Sequence, residues 1–236
     1  MDIRRISIIM PVYNEERFIA RALDRVKGAD LGFSGLSKEI IVVNDGSSDG
    51  TVHALEQFRD SITLIDLERN HGKGHAIKAG LGRAHGEVVI IQDADLEYDP
   101  ADYRELLRPI IEGRADIVYG SRFIGGQPHR VLLFWHYAVN RLLTLLANIM
   151  ANLNLSDMET GYKVFRTAAL RSVRLRERRF GFEPEVTIKL ARKGWRFYEV
   201  GISYSGRTYA EGKKISWRDG LRALWVIIRY GISSWS

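Results

Sequence analysis

Five short aliphatic runs, each followed by a helical pattern or a turn, dominate the first half of the chain. They are Ile6–Met10, Ile40–Val43, Ile62–Leu67, Val88–Ile91 and Ile117–Tyr119. Between them, apolar residues recur at helical spacing. Phe18, Ile19, Ala22, Leu23 and Val26 form one set, and Val52, Leu55 and Phe58 the next. Gly74–His85 reads as a helix, as do Tyr103, Leu106, Leu107 and Ile110. A strand that is apolar on both faces needs cover on both faces. Such strands alternating with helices predict an α/β fold, with a mostly parallel central sheet and helices on both sides. Ligands of such sheets sit beyond the carboxyl ends of the strands. The second half changes character: helical from Val131 to Met150, then mixed, then an aromatic strand over Trp195–Tyr204 and a helical pattern from Trp217 to Tyr230. No repeat or Pro/Ser-rich linker interrupts it, so residues 1–236 are expected to form a single domain.

Composition narrows the function classes. With 45% hydrophobic and 27% charged residues, the chain is an ordinary globular sequence. It has no cysteine, which excludes a disulfide framework, a thiolate zinc site and a cysteine nucleophile. The net charge of +6 favours anionic partners: nucleic acid, phosphorylated substrates or an anionic membrane face. The amino-terminal residues lack the sustained apolar run of a secretory signal. The longest apolar stretch, Val131 to Met150, is interrupted by His136, Asn140, Arg141 and Asn148, so a spanning helix is not expected.

The motifs fall where the strands end. The first strand runs into Pro11-Val12-Tyr13-Asn14-Glu15, either a helix start capped by Asn14 or a loop that holds a base and ribose. The second ends in Asn44-Asp45-Gly46-Ser47-Ser48-Asp49-Gly50-Thr51. A turn with a helix cap explains Ser48 and Asp49, whereas Asp45 at the strand tip is equally suited to a base or ribose. After the third strand, Asn70-His71-Gly72-Lys73-Gly74 offers backbone N–H groups and a lysine to an anion, but matches neither a Walker loop nor a dinucleotide fingerprint. The fourth strand ends in Gln92-Asp93-Ala94-Asp95-Leu96-Glu97. Residues two apart share a face of an extended chain, so three carboxylates are expected to converge. An acidic turn is the plainer reading. A strongly apolar strand ending this way favours a hard divalent cation, Mg²⁺ or Mn²⁺, shared with substrate phosphates. Arg122, after the fifth strand, could fork onto a phosphate.

Later basic candidates are Arg130, Arg141, Arg207, Lys213 and Lys214. The segment Tyr204–Ile215 has the make-up of a loop that closes on a polyphosphate, and equally of an exposed loop. In the last segment Trp217, Leu221, Leu224, Trp225 and Ile228 form one stripe, and Arg218, Arg222 and Arg229 another. Such a helix either packs its stripe on the core or lies on a membrane surface.

Taken together, PVYNE at 11–15, NDGSSDGT at 44–51, NHGKG at 70–74, DADLE at 93–97, GSRF at 120–123, SDMETGYKVF at 156–165 and the Arg207–Lys214 loop resemble family 2 glycosyltransferases. More closely, they resemble the polyprenyl-phosphate (dolichol-phosphate mannose synthase-like) group. The resemblance implies an A-type glycosyltransferase fold, with a nucleotide-sugar-binding half over about 1–123 and an acceptor-binding half over about 124–236. It implies that Pro11, Tyr13, Glu15 and Asp45, with Asp93, bind the nucleotide. Asp93, Asp95 and Glu97 would hold Mg²⁺ or Mn²⁺ on the pyrophosphate. Arg122 would contact the acceptor phosphate, and Arg207 and Lys213 would close on the phosphates. The family's usual metal motif has Gln where Glu97 stands; a carboxylate keeps an oxygen ligand.

The implied reaction is inverting transfer of a hexose from a nucleotide sugar, of GDP-mannose or UDP-glucose type, to a polyprenyl phosphate. Asp93, Asp95 and Arg122 are then the catalytic set. A phosphate monoester is already anionic near neutral pH, so no strong general base is required. The chain stops at Ser236, so the expected membrane contact is peripheral, at the cytoplasmic face of the inner membrane. The nearest rival uses a sugar hydroxyl as acceptor and needs a carboxylate base, for which Asp157 and Glu159 are the late candidates. A nucleotidyltransferase lacks its early Gly-rich loop here. A nucleic-acid module would leave the Asp93–Glu97 cluster unexplained, so no nucleic-acid partner is expected.

Overall fold

The computed structural model describes residues 3–125, 130–131, 133–207 and 217–232, without the side chains of 217 and 218. The strands are β1 (Arg5–Val12), β2 (Ser37–Asn44), β3 (Thr63–Asp66), β4 (Val88–Ile91), β5 (Ile117–Ser121), β6 (Lys163–Arg166) and β7 (Phe197–Gly201). The helices are α1 (Ile19–Gly28), α2 (Thr51–Leu55), α3 (Lys73–Leu81), α4 (Tyr103–Ile111), α5 (Phe134–Ala151), α6 (Thr167–Arg171), α7 (Phe182–Arg192) and α8 (Trp217–Ile232). One sheet runs β3-β2-β1-β4-β6-β5-β7. All neighbours are parallel except β6, which pairs antiparallel with both β4 and β5.

Alternation along the strands divides the core in two. Ile9, Ile41, Val43, Val89, Ile91, Tyr119 and Phe165 face α3, α5, α7 and α8. Ile8, Met10, Ile40, Val42, Val88, Ile90 and Val118 face α1 and α4. The five expected strands are all present, the third trimmed to Thr63–Asp66. The third-strand helix starts at Lys73 and stops at Leu81, short of His85. The aromatic strand contracts to Phe197–Gly201, and Tyr204 makes an isolated bridge to Tyr98.

Most of the expected apolar stripe of the last helix faces away from the core, with Leu224 packed against it. Leu221, Trp225 and Ile228 are exposed and Leu224 is half-buried, whereas Ala223, Val226, Ile227 and Tyr230 are buried. That second face meets α5 and α7. No helix among the described residues is long and apolar enough to cross a membrane.

The topology brings the motifs to one edge. The parallel strands deliver residues 13–15, 45, 93–97, 122 and 204–207 from their carboxyl ends, and β6 is entered from that same edge through residues 157–162. Close packing of α3 on β1 sets the edge: a Cβ on Gly80 would lie 2.6 Å from Ile9 Cγ2. Gly80→Ala is therefore expected to destabilise the protein by about 1–3 kcal/mol despite alanine's better helix propensity. Thermal unfolding should report a Tm lower by roughly 2–4 °C per kcal/mol.

Candidate active site

Asp45, at the tip of β2, accepts hydrogen bonds from the backbone N–H groups of His71 (2.8 Å) and Gly72 (2.7 Å). The anion held by the Asn70–Gly74 loop is thus the protein's own carboxylate. Asp45 thereby ties the β2 and β3 loops together. Tyr13 is partly exposed beside it. The buried Glu15 receives its fixed position from the Thr51 hydroxyl, which accepts from the Glu15 backbone N–H at 2.9 Å. Pro11 lies within β1, paired to Val43.

The acidic motif does not converge on one point. Asp93 pairs with Lys73, whose Nζ lies 2.8 Å from Oδ1 and also 3.3 Å from Glu183 Oε1. Burial opposes the charge on Lys73, and Asp93 and Glu183 outweigh it, holding the ammonium well above its ordinary range. Asp95 and Glu97 instead face Arg207. The guanidinium lies 3.1 Å from Asp95 Oδ2, 3.1 Å from Glu15 Oε2 and 3.7 Å from Glu97 Oε1. Glu97 also accepts from the Arg207 backbone N–H (2.7 Å) and the Tyr204 hydroxyl (2.7 Å). The physical reason is the backbone: β4 ends at Ile91, so Asp93 and Asp95 do not lie on an extended strand, and Leu96, with φ 63°, bends the chain again before Glu97. Among the described residues no three acidic or histidine side chains gather closely enough to hold a metal ion. Burial, then the Asp93 and Glu97 charges, push the Asp95 carboxyl up.

The donor set nevertheless fits a hard cation. It is all oxygen, it is half-buried, and in this structure Arg207 lies among Glu15, Asp95 and Glu97 and supplies positive charge. The Arg207 Nε is buried without a hydrogen-bond partner, so the arginine satisfies the cluster imperfectly. Gly161 packs so closely on Asp93 that a Cβ there would collide with Oδ2.

Arg122 makes a bidentate pair with Asp157, Nε to Oδ2 and Nη2 to Oδ1, both at 2.7 Å. This uses two of its five N–H donors. Asp157 also accepts from Asn140 of α5 (3.0 Å). Burial alone would raise the Asp157 carboxyl, but the Arg122 charge and hydrogen bonds hold it below its ordinary range. Arg130 donates to the Gly206 carbonyl (2.9 Å), and Arg141 is exposed on α5. Lys213 and Lys214 lie outside the described residues.

Residues 7–174 match the family described as Glycosyl transferase family 2. The chain belongs to that family. An undecaprenyl-phosphate mannosyltransferase of Micrococcus luteus is 29% identical over 98% of this chain and 95% of its own length. A dolichyl-phosphate β-glucosyltransferase of Trichomonas vaginalis is 26% identical over 85% of this chain, and the match spans 65% of that longer protein. Among solved structures, glucosyl-3-phosphoglycerate synthase of Mycobacterium tuberculosis, in complex with Mn²⁺, UDP and phosphoglyceric acid, superposes with a TM-score of 0.74. It is 20% identical, with 99% of this chain and 80% of that chain covered, and shares the fold.

Sequence reasoning singled out Lys73 and Arg207 for phosphates and missed that they pair with the glycosyltransferase's acidic edge. Lys73 and Arg207 reach across 20 and 112 residues to Asp93 and Asp95, and no local pattern signals such pairs. It also missed Glu183, which lies in α7, an element without an amphipathic pattern. Removing the buried Asp157 charge strands Arg122. Asp157→Asn is expected to cost roughly 3–5 kcal/mol in denaturant unfolding.

Proposed function

We propose that this family 2 glycosyltransferase moves a hexose from a nucleotide sugar to a polyprenyl phosphate, with inversion and with a divalent metal. The observation that carries the reading is one edge that holds both carboxylates balanced by protein cations (Asp93 by Lys73; Glu15, Asp95 and Glu97 by Arg207) and a guanidinium with spare donors (Arg122). The mannosyltransferase of Micrococcus luteus, named for an undecaprenyl-phosphate acceptor, supports the acceptor class.

In this reading Pro11, Tyr13, Glu15 and Asp45 bound the nucleoside. Asp93, Asp95 and Glu97 would hold Mg²⁺ or Mn²⁺, which supplies charge neutralisation for the diphosphate leaving group. Arg122, held rigid by Asp157, directs its free N–H groups to the acceptor phosphate and positions its oxygen for attack. The phosphate carries its own negative charge, so no side chain has to remove a proton. Of the two candidate bases for the rival with a sugar-hydroxyl acceptor, Asp157 is a weak one, bound on both oxygens and held below its ordinary range, which leaves Glu159 as that rival's base.

A membrane surface fits the outer faces of α5 and α8. Phe134, Trp135, Leu142, Leu145 and Ile149 on α5 are exposed, Trp135 to 75%, next to Leu221, Trp225 and Ile228 on α8. Arg222 and Arg229 lie over the Trp225 ring, at 4.4 and 4.8 Å. Aromatic and apolar residues interleaved with arginine suit the interface of a leaflet. The anionic cytoplasmic leaflet suits the positive charge.

Purified protein incubated with Mn²⁺, polyprenyl phosphate in anionic vesicles and radiolabelled GDP-mannose or UDP-glucose is expected to put label into the organic phase. Asp95→Ala should lower that transfer by two orders of magnitude or more. Label that stays in the aqueous phase with both donors would refute the acceptor class.

For Asp95 and Glu97 to hold a metal, Arg207 would have to release their oxygens, and a bound diphosphate would offer its guanidinium another anion. Arg207→Met is therefore expected to act with opposite signs. Without nucleotide, Mn²⁺ binding followed by electron paramagnetic resonance should tighten about tenfold, or about 1.4 kcal/mol. With nucleoside diphosphate present, the ternary complex should weaken.

A further inference from the structure

We infer that Glu159 and Glu183 form the hexose-recognition subsite, accepting hydrogen bonds from ring hydroxyls of the donor sugar. The inference rests on the nucleotide-sugar reading and extends it to two residues that the phosphate and metal chemistry leave unused.

Both side chains end in an orphaned acceptor. Glu183 Oε2 and Glu159 Oε1 are buried and have no hydrogen-bond partner. Such atoms are uncommon in folded proteins, and a buried charged group without a partner is more costly than a neutral one. The nearby buried cations do not relieve them. Lys73 meets only the other oxygen of Glu183, at 3.3 Å, while bonding Asp93. Lys163 donates to the Met158 and Thr160 carbonyls and lies 4.3 Å from the Tyr119 ring centre. Burial and the Glu183 charge push the Glu159 carboxyl up, the mark of two acidic groups short of partners.

Their place in the molecule suggests what is missing. Glu183 is linked through Lys73 to Asp93, on the leaving-group side. Glu159 lies in the field of Arg122 and Asp157, on the acceptor side, and also in that of Glu183. It is half-buried, so part of the residue still meets solvent. A hexose in transfer has to lie between its departing diphosphate and the attacking phosphate. Its hydroxyls are O–H donors, and carboxylate oxygens are the acceptors they pair with. A site built on such acceptors rejects a donor that lacks the matching hydroxyl, because its buried oxygens are then left unpaired.

The test compares wild type, Glu159→Gln, Glu159→Leu and Glu183→Gln by calorimetry with Mn²⁺ and four probes: GDP, GDP-mannose, UDP and UDP-glucose. For the base that binds, nucleoside diphosphate affinity should stay within about twofold in both Glu159 variants. Nucleotide-sugar affinity should fall about tenfold in Glu159→Leu, equivalent to about 1.4 kcal/mol. A donor analogue lacking the contacted hydroxyl should bind wild type and variant alike. Removing an unpartnered carboxylate should also leave the melting temperature of Glu159→Leu unchanged or raised, and the Gln variants keep the shape if the Leu variant does not fold. Equal losses for diphosphate and sugar nucleotide, or no loss for either, would overturn the subsite alone. Wild type that binds none of the four probes would overturn the nucleotide-sugar reading and the subsite with it.

Discussion

The Arg207 guanidinium lies 3.1 Å from oxygens of both Glu15 and Asp95, and its backbone N–H donates to Glu97 at 2.7 Å. Three carboxylates crowded at the edge of a sheet repel one another in a poorly solvated site unless a cation lies among them. Arg207 is that cation, and Lys73 has the same task between Asp93 and Glu183. Together they join the β1 loop, the β4 loop, the start of α3, the start of α7 and the segment after β7. The edge therefore forms only when residues 192 positions apart have met. Loop-closure cost grows slowly with length, so an apolar sheet that has already formed can support such a distant contact.

The antiparallel β6 makes the second end of the site possible. A wholly parallel sheet would deliver only strand ends to this edge. Because β6 runs the other way, the segment that enters it, Asp157–Tyr162, crosses the same edge. It brings Asp157 to Arg122, Gly161 to Asp93 and Glu159 between them. One reversed strand thereby connects the acidic edge to the Arg122–Asp157 pair.

The parallel core was legible because its strands are apolar on both faces, as at Ile8–Met10 and Val88–Ile91, and burial on both faces is what a middle strand requires. β6 was not, since Lys163-Val-Phe-Arg166 has a charge at each end and only four residues. Nor was α7: Glu183, Glu185 and Lys189 are buried there, so its polar residues do not mark a solvent face. At the site, the residue types and their location at strand ends could be read directly. Their partners could not. The carboxylate spacing assumed an extended chain, but the strand ends at Ile91 and Asp93 and Asp95 pair with different cations. Asp45 shows the same limit, because its partners are two backbone amides of a loop 26 and 27 residues away.

α5 has two faces with different tasks, and the distance between them bears on how a lipid acceptor is reached. Its inner face carries Asn140, which donates to Asp157 and so helps to fix Arg122, and Thr144, which accepts from the Met158 N–H at 3.1 Å. Its outer face exposes Leu142, Leu145 and Ile149. An α-helix with its side chains is about 10–12 Å across. If the outer face rests on a leaflet, Arg122 lies roughly one helix diameter from the headgroup layer. A phosphate on a membrane-embedded chain would then meet the guanidinium near the surface, with its apolar tail still in lipid. Drawing that tail into water would cost about 0.8 kcal/mol per exposed methylene, which for a polyprenyl chain exceeds what a single arginine–phosphate contact returns. With the proposed polyprenyl-phosphate acceptor, the two faces of α5 would thus make one demand: the site would have to come to the lipid, because the lipid could not come to the site.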